Sequence, residues 1–410
     1  MATASSTIAG GITAARGFRA AGISAGIKAN KGLDLALLVA DAPASAAAVF
    51  TTNLAQAAPV LVSRQHLQTT GGQVRAIVVN SGCANACTGD EGMRDAREMA
   101  SETARLVGCP TEQVLVASTG VIGVALPMNK IRQGLPEALK VMETGEDGGA
   151  SAARAIMTTD PFPKEAASRI AIGRGVGDVA DVSIGGMAKG SGMIEPMMAT
   201  MLGFLTTDAA VPPPLLDRAL RAAVDVTFNA ITVDGECSTN DCVMLLASGA
   251  SGVTITESTY PAFVEGLTAV CRELAIGIVR GGEGATKLVA VHVTGARSAA
   301  DAKRCAKAIA NSPLVKTAVH GGDPNWGRLI AVAGRAGVGF DLGRAAVRIG
   351  SIVMFNDGKP HDENAPLAAD YLKGKELDIT VHLGVGSDTA TVWTCDLSAD
   401  YVRINADYRT

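Results

Sequence analysis

A threonine that follows a small residue in a glycine-rich run is the first place where this sequence could do chemistry. Residues 189 to 208 read KGSGMIEPMMATMLGFLTTD. Gly190 and Gly192 permit backbone paths that a β-carbon would forbid. Small or unbranched residues flank Thr200 and leave room for another group to approach. A cut between Ala199 and Thr200 would free the Thr200 α-amine, which titrates at roughly 7.7–8.0. The residue would then carry its own base beside its own nucleophile, one way of activating a weak alcohol. On residue types alone, a Thr after Met-Met-Ala is also an ordinary core or strand residue. Both readings stand at this point.

Other reactive groups are scattered. Ser118-Thr119-Gly120-Val121-Ile122-Gly123 follows a short aliphatic run. Hydroxyl and amide donors just past a strand could hold an oxyanion, or the glycine could simply make a turn. Lys189 could face a carboxylate or be an exposed loop lysine. Glu283 lies among glycines in RGGEGATK, residues 280 to 287. It could pair with an ammonium group or be a solvated loop charge. Thr158-Thr159-Asp160, ahead of Pro161 and Pro163, reads as a helix end or cap. The G-x-G-x-G at 173 to 177 has the wrong spacing for a dinucleotide site and no clear helix after it. The 185 to 191 stretch contains no Gly-Lys-Ser/Thr, so it is no phosphate loop.

The elements that must position these groups read as α/β. Residues 34 to 50 contain two short aliphatic runs, LALLVAD and AAAVF, expected as buried strands around a turn at Ala42-Pro43. RAIVVN at 75 to 80 is a strand, and SGCANACTGD a small-residue loop. Met93, Ala96, Met99, Ala100, Ala104 and Val107 recur at helical spacing, and QVLVA at 113 to 117 is the next strand. Strand, helix, strand in succession argues for an α/β architecture. Helices are expected at 152 to 156, 215 to 224 and 267 to 279. Asp234-Gly235 is a hairpin signal, and the following Ser-Thr-Asn-Asp could cap a helix. Later come a strand at 288 to 294 and a helix at 298 to 311, capped by Ser298 with Asp301 three later and stopped at Pro313. Strands are expected around 315 to 320, 346 to 354, 377 to 383 and 389 to 395, with a helix start at 325 to 337. This divides the chain into a large α/β domain, 1–285, and a smaller α/β lobe, 286–410.

Composition narrows the classes. The 410 residues are 48% hydrophobic, 19% charged and only 3% aromatic, which predicts an aliphatic, closely packed core. A net charge of −4 with pI near 5.8 argues against a nucleic-acid partner. Eight cysteines in a chain this long are too sparse for a disulfide framework, so reduced thiols and a cytoplasmic location are expected. Cys83 and Cys87 have no local histidine, so no metal is expected. No run of about 18 apolar residues predicts a membrane span. The first acidic residue is Asp34, and a targeting segment would occupy at most the first dozen or so residues.

The run MAKGSGMIEPMMATMLGFLTTDA resembles the signature of the self-processing ornithine acetyltransferases, the glutamate N-acetyltransferase family of arginine biosynthesis. So do GFRAAGISAGIK (17 to 28), VFTTNLAQAAP (49 to 59), STGVIG, VTFNAITVDGECSTND (226 to 241), SPLVKTAVHGGDPNWGR (312 to 328) and the tail DYVRINADYRT (400 to 410). The likeness runs from Gly17 to Thr410. It implies a layered α/β sandwich similar to N-terminal nucleophile hydrolases but connected differently. It implies self-cleavage between Ala199 and Thr200 into chains 1–199 and 200–410, assembled as a heterotetramer. Thr200 would be the nucleophile, with Thr119 and Gly120 as the oxyanion hole. Thr158, Lys189, Thr200, Glu283, Asn405 and Thr410 would bind substrate. The implied reaction carries acetyl from N-acetylornithine to glutamate through an acetyl-Thr enzyme, with no cofactor. Acetyl-CoA stands open as a second donor. The chain departs from the family at Met197, where a polar residue is more common, and at Gly281, where Asp is usual. Two other readings remain: an amidase or aminopeptidase of related architecture, with water as acceptor, and a non-catalytic relative.

Overall fold

Aliphatic strands with few charges fill the first part of the chain, and they assemble into one large sheet. The structure, a computed structural model, describes residues 5–175, 178–195 and 201–407. The strands are Ser5–Thr7 (β1), Phe18–Ile23 (β2), Leu35–Phe50 (β3), Gln73–Cys83 (β4), Val114–Val121 (β5), Lys164–Gly175 (β6), Asp178–Lys189 (β7), Leu202–Thr207 (β8) and Cys242–Ala247 (β9). Their order is β1-β6-β7-β8-β9-β3-β4-β5, with β2 also paired to β3. The β4–β5 and β8–β9 pairs are parallel.

Helices cover both faces. Strand side chains alternate between faces, and β8 shows the consequence. Leu202 and Phe204 join Met244, Leu246 and residues of Glu146–Ala155 (α4) in one core. Met201 and Leu205 join Val243 and Leu245 beneath Pro213–Asp225 (α5) and Tyr260–Arg280 (α6). At the β4–β5 end, Val78 and Val116 are covered by Gly89–Val107 (α2) and Met128–Lys140 (α3). The buried face of α2 holds Ala96, Met99, Ala100 and Ala104, as the helical spacing predicts. The layered α/β class expected from the sequence is the one observed.

The remaining chain builds a second sheet. Its strands are Leu288–Ala296 (β10), Ala346–Ile349 (β11), Ile352–Asn356 (β12), Lys359–Pro360 (β13), Glu376–His382 (β14) and Asp388–Cys395 (β15), in the order β13-β12-β11-β14-β10-β15. Helices Ala299–Ala310 (α7) and Trp326–Arg335 (α9) pack over Val291, Val347, Ile379 and Val392. The chain then returns to the first sheet through Ala399–Asp407 (α11). Among the described residues, no helix is long and apolar enough to cross a membrane.

Four expectations need correction. Residues 35 to 50 form one long strand. Its register shifts between Val39 and Ala44, and this irregularity absorbs Pro43, which lacks a donor N–H. Residues 315 to 320 are helical, within Pro313–Gly321 (α8). Pro313 starts that helix at its first position, where its missing N–H costs nothing, and Val315, Ala318 and Val319 make the buried face. The 346 to 354 run is split into β11 and β12 by a turn at Gly350, φ +59°. Asp234-Gly235 makes no hairpin; its carboxylate instead caps the chain near Met193, as described below.

Ser298 caps α7 as expected, its Oγ accepting from the Asp301 N–H at 3.1 Å. Ser298→Ala should lower stability by about 1 kcal/mol, seen as a lower urea midpoint at unchanged slope.

Candidate active site

Two parallel strands deliver the first pair of groups. In the β4–β5 register Ser81 lies beside Thr119 and Gly82 beside Gly120. Gly120 has φ +128°, and a β-carbon there would lie 2.4 Å from the Gly82 carbonyl carbon, so only glycine fits. Asn240 locks this corner: its Nδ2 donates to the carbonyls of Ala84 and Ser118 at 2.5 and 2.9 Å. Lys189, the last residue of β7, donates from Nζ to Thr119 Oγ1 at 3.1 Å. An ammonium group only donates. The Thr119 oxygen therefore accepts, and its own hydrogen is left to point at a ligand.

Asp160 fixes Lys189 from behind. Its carboxylate has no exposed side-chain surface and pairs with Lys164, itself 2% exposed. It also accepts from the N–H groups of Gly190 at 2.8 Å and Thr158 at 2.9 Å. Burial opposes its ionisation, but the charges of Lys164 and Lys189 and the Gly190 N–H outweigh this and hold the carboxyl at about 2. Burial pulls the Lys164 amine below its ordinary value. Each buried group supplies the counter-charge that the other needs. Thr158 and Thr159 line the cavity in front of this network. Expected to end or cap a helix, the Thr-Thr-Asp run lies past the end of α4, and Asp160 serves the site.

Glu283 approaches from the end of α6. It is 7% exposed, and its N–H donates to the Ser191 carbonyl at 3.1 Å. A β-carbon on Gly192 would fall 2.3 Å from Glu283 Oε2, so that glycine lets the carboxylate in. Asn405, carried by α11, donates from Nδ2 to Glu283 Oε2 at 2.9 Å. Tyr401, one turn earlier, bonds to Asp234 at 3.2 Å. Asp234 also accepts from the N–H groups of Met193 and Ile194 at 2.7 and 2.8 Å.

Both flanks of the central stretch are thus held. On one side Asp234 grips residues 193 and 194. Glu195 pairs with Lys307 at 3.1 Å and accepts from Asn311 Nδ2 at 3.1 Å. On the other, the Met201 carbonyl accepts from the Cys242 N–H at 3.1 Å. Met197, Ala199, Thr200 and Thr410 lie outside the described residues. Of the other residues singled out in the sequence, Thr119, Gly120, Thr158, Lys189, Glu283 and Asn405 all line one cavity. Its volume is about 150 Å³. One water needs about 10–15 Å³ on the same measure, so the cavity takes a solute of amino-acid size. Among the described residues, no three His, Cys, Asp or Glu side chains cluster as a metal set would.

Sequence reasoning missed Asp234, Tyr401, Asn240 and Asp241, all of which line the cavity. Asp234 read as a turn, and the STND run as a helix cap. The available signal was a dense polar run between apolar strands. At Gly281, where the family resemblance expects Asp, a β-carbon would lie 3.2 Å from Lys164 Nζ. An acid there would compete for the cation that Asp160 holds in this chain.

A cation, a carboxylate and a threonine hydroxyl beside a glycine line one small cavity, and groups of these types can pair with both charges of an amino acid and donate to an oxyanion. The ArgJ family profile matches residues 19–410. The arginine biosynthesis bifunctional protein ArgJ of Symbiobacterium thermophilum is 50% identical over 98% of this chain and 99% of its own. That of Geobacter sulfurreducens is 51% identical over 96% of this chain and 99% of its own. A solved chain of the Bacillus halodurans protein, at 44% identity and a TM-score of 0.50, matches along 100% of its length to 51% of this chain. The chain belongs to the ArgJ family. It is an acyltransferase of arginine biosynthesis.

Asp160→Asn would leave Lys164 buried without a counter-charge, at a cost of about 3–5 kcal/mol. The sign with pH follows from a folded value of about 2 against about 3.9 unfolded. The stabilisation is complete above about pH 4 and lost as pH falls through 2. Acid unfolding curves should show that dependence in the wild type, and Asp160→Asn should flatten it.

Proposed function

We propose that the chain cuts itself between Ala199 and Thr200, and that Thr200 Oγ then carries acetyl from N-acetylornithine to glutamate. The observation that carries this reading is the convergence of Thr119, Gly120, Thr158, Lys189, Glu283 and Asn405 on one cavity. Those residues come from separate strands, loops and the tail, and both ends of the Ala199–Thr200 stretch lead to the same place. The solved Bacillus halodurans chain lends support. Its whole length matches 51% of this one, and residues 200–410 make up just over half of 410.

The chemistry follows from the donors. The Thr200 α-amine takes the proton from Oγ as the oxygen attacks the acetyl carbonyl. Thr119 O–H and Gly120 N–H stabilise the oxyanion. Ornithine leaves, and glutamate attacks the acetyl-Thr. Lys189 pairs with a substrate carboxylate and Glu283 with an ammonium group, while Thr158, Asn405 and Thr410 complete the walls. Acetyl-CoA acylates the same Thr200 as a second donor. The two products of the cut, 1–199 and 200–410, stay joined, because β7 and β8 lie on opposite sides of it and pair from Ile184–Thr207 to Lys189–Leu202. Pairs of such heterodimers form the cytoplasmic enzyme.

Intact mass under denaturing conditions tests the cut. The wild type should give two fragments of about half of 41.6 kDa, one beginning TMLGF, and Thr200→Ala a single chain. With N-acetylornithine and glutamate, the wild type should form N-acetylglutamate. Release of acetate without it would mean that water is the acceptor. Thr119→Val should lower kcat by on the order of 10²–10³ while leaving the cut protein folded.

A further inference from the structure

The reaction proposed above brings two opposite charges to one place. N-acetylornithine and glutamate share an α-carboxylate and an α-nitrogen, and that nitrogen must meet the same acetyl group in either direction of transfer. Their side chains therefore run to the same end of a cavity of about 150 Å³. One side chain ends in an ammonium group, the other in a carboxylate.

The wall is unbalanced for the second of these. Among the described residues that line the cavity, Lys189 is the one cation, against Asp234, Glu236, Asp241 and Glu283. Lys189 reaches Thr119 and is taken up by the α-carboxylate that both substrates carry. Glu283 is 7% exposed, and Asn405 Nδ2 donates to its Oε2. The Tyr401 hydroxyl is held above its ordinary value by burial and then by the charges of Asp234, Glu283 and Glu236, which puts these three acids around one end of the pocket. Asp234 accepts from the N–H groups of Met193, Ile194 and Glu236 and from Tyr401, so its charge is matched. Glu236 is exposed. Asp241 is buried, and burial raises its carboxyl. Lys164, beside Gly281, is committed to Asp160, and on α11 Arg403 and Asp400 pair in solvent. No described cation stands free for a carboxylate that arrives beside Glu283. Two carboxylates brought together in a shielded site cannot both ionise, and one proton stays between them.

We propose that Glu283 lets one pocket serve both substrates: it receives the ammonium end of N-acetylornithine as a carboxylate, and the carboxylate end of glutamate by sharing a single proton with it. This rests on the substrate pair put forward above. The proton enters from solvent with glutamate or N-acetylglutamate and returns to solvent when either leaves. The pocket therefore discriminates between its substrates by proton uptake at Glu283, with Lys189 common to both.

Isotopically labelled glutamate serves as acceptor, with N-acetylornithine or N-acetylglutamate as donor, and labelled N-acetylglutamate is the product of both. The α-nitrogen of each donor is an amide and does not titrate, and groups that serve both donors cancel in the ratio of their kcat/KM values. A glutamate side chain in water gives up its proton near about 4.3. Across about pH 5.5–8.5 the wild-type ratio of N-acetylglutamate to N-acetylornithine should therefore fall as pH rises, by up to about tenfold per unit. Glu283→Gln is neutral at every pH. Its ratio should be flat, and it should lose N-acetylornithine use by on the order of 10² more than N-acetylglutamate use. Asn405→Asp, on a helix with no buried residues, adds a charge beside Glu283 and should lower N-acetylglutamate use by about tenfold more than N-acetylornithine use. A wild-type ratio that does not change with pH overturns the proposal, and that measurement needs no variant to fold. A Glu283→Gln enzyme that loses both donors equally, or keeps the wild-type slope, overturns it too. A folded wild type that transfers acetyl from neither donor removes the acetyl-transfer reading itself, and the proposal with it.

Discussion

A carboxylate with no exposed surface must be matched by cations and donors, and the pocket is arranged around how Asp160 is matched. Lys164 supplies the charge, and the N–H groups of Thr158 and Gly190 supply the geometry. Gly190 directly follows Lys189, so the strand end whose ammonium group reaches Thr119 is tied to the same carboxylate. The same carboxylate thereby sets a wall residue, a cation and, through Thr119, the direction of a hydroxyl hydrogen. Two segments, 158–164 and 189–190, meet on one buried charge, and Lys189 carries the link on to Thr119. An exposed ion pair would give no such constraint, because water would satisfy each group in any of several positions.

The sequence carried the strands and helices wherever a single periodicity ran uninterrupted, as in α2 and β14. It misled where one residue type serves two purposes. Pro313 ends nothing; it opens α8, because the chain beyond it has helical spacing that the short apolar run concealed. Pro43 falls at a register shift inside β3, because pairing with β4 before it and with β9 after it keeps the chain extended on either side. Thr119, Lys189 and Glu283 were singled out by the family resemblance, because the residues alone left an ordinary turn or exposed loop charge open at each, and the structure brings all three to one cavity. Asp160 and Asp241 were not, since each sits in a polar run that also reads as a cap. What sets them apart is burial, and burial of a loop residue is decided by segments distant in sequence.

The pairing of β7 with β8 has a consequence for the life history of the protein. The two strands belong to one chain when the sheet forms, and their meeting is an intramolecular event with a short connection to close. A cut between them removes the connection and leaves the hydrogen bonds of the register from Ile184–Thr207 to Lys189–Leu202 in place. Folding before the cut is first order; reassembly after it is second order and depends on concentration. A chain cut there, as proposed, would on unfolding at low concentration lose the route by which it was made. Its persistence then rests on how slowly it comes apart, as for other proteins whose stability is a rate.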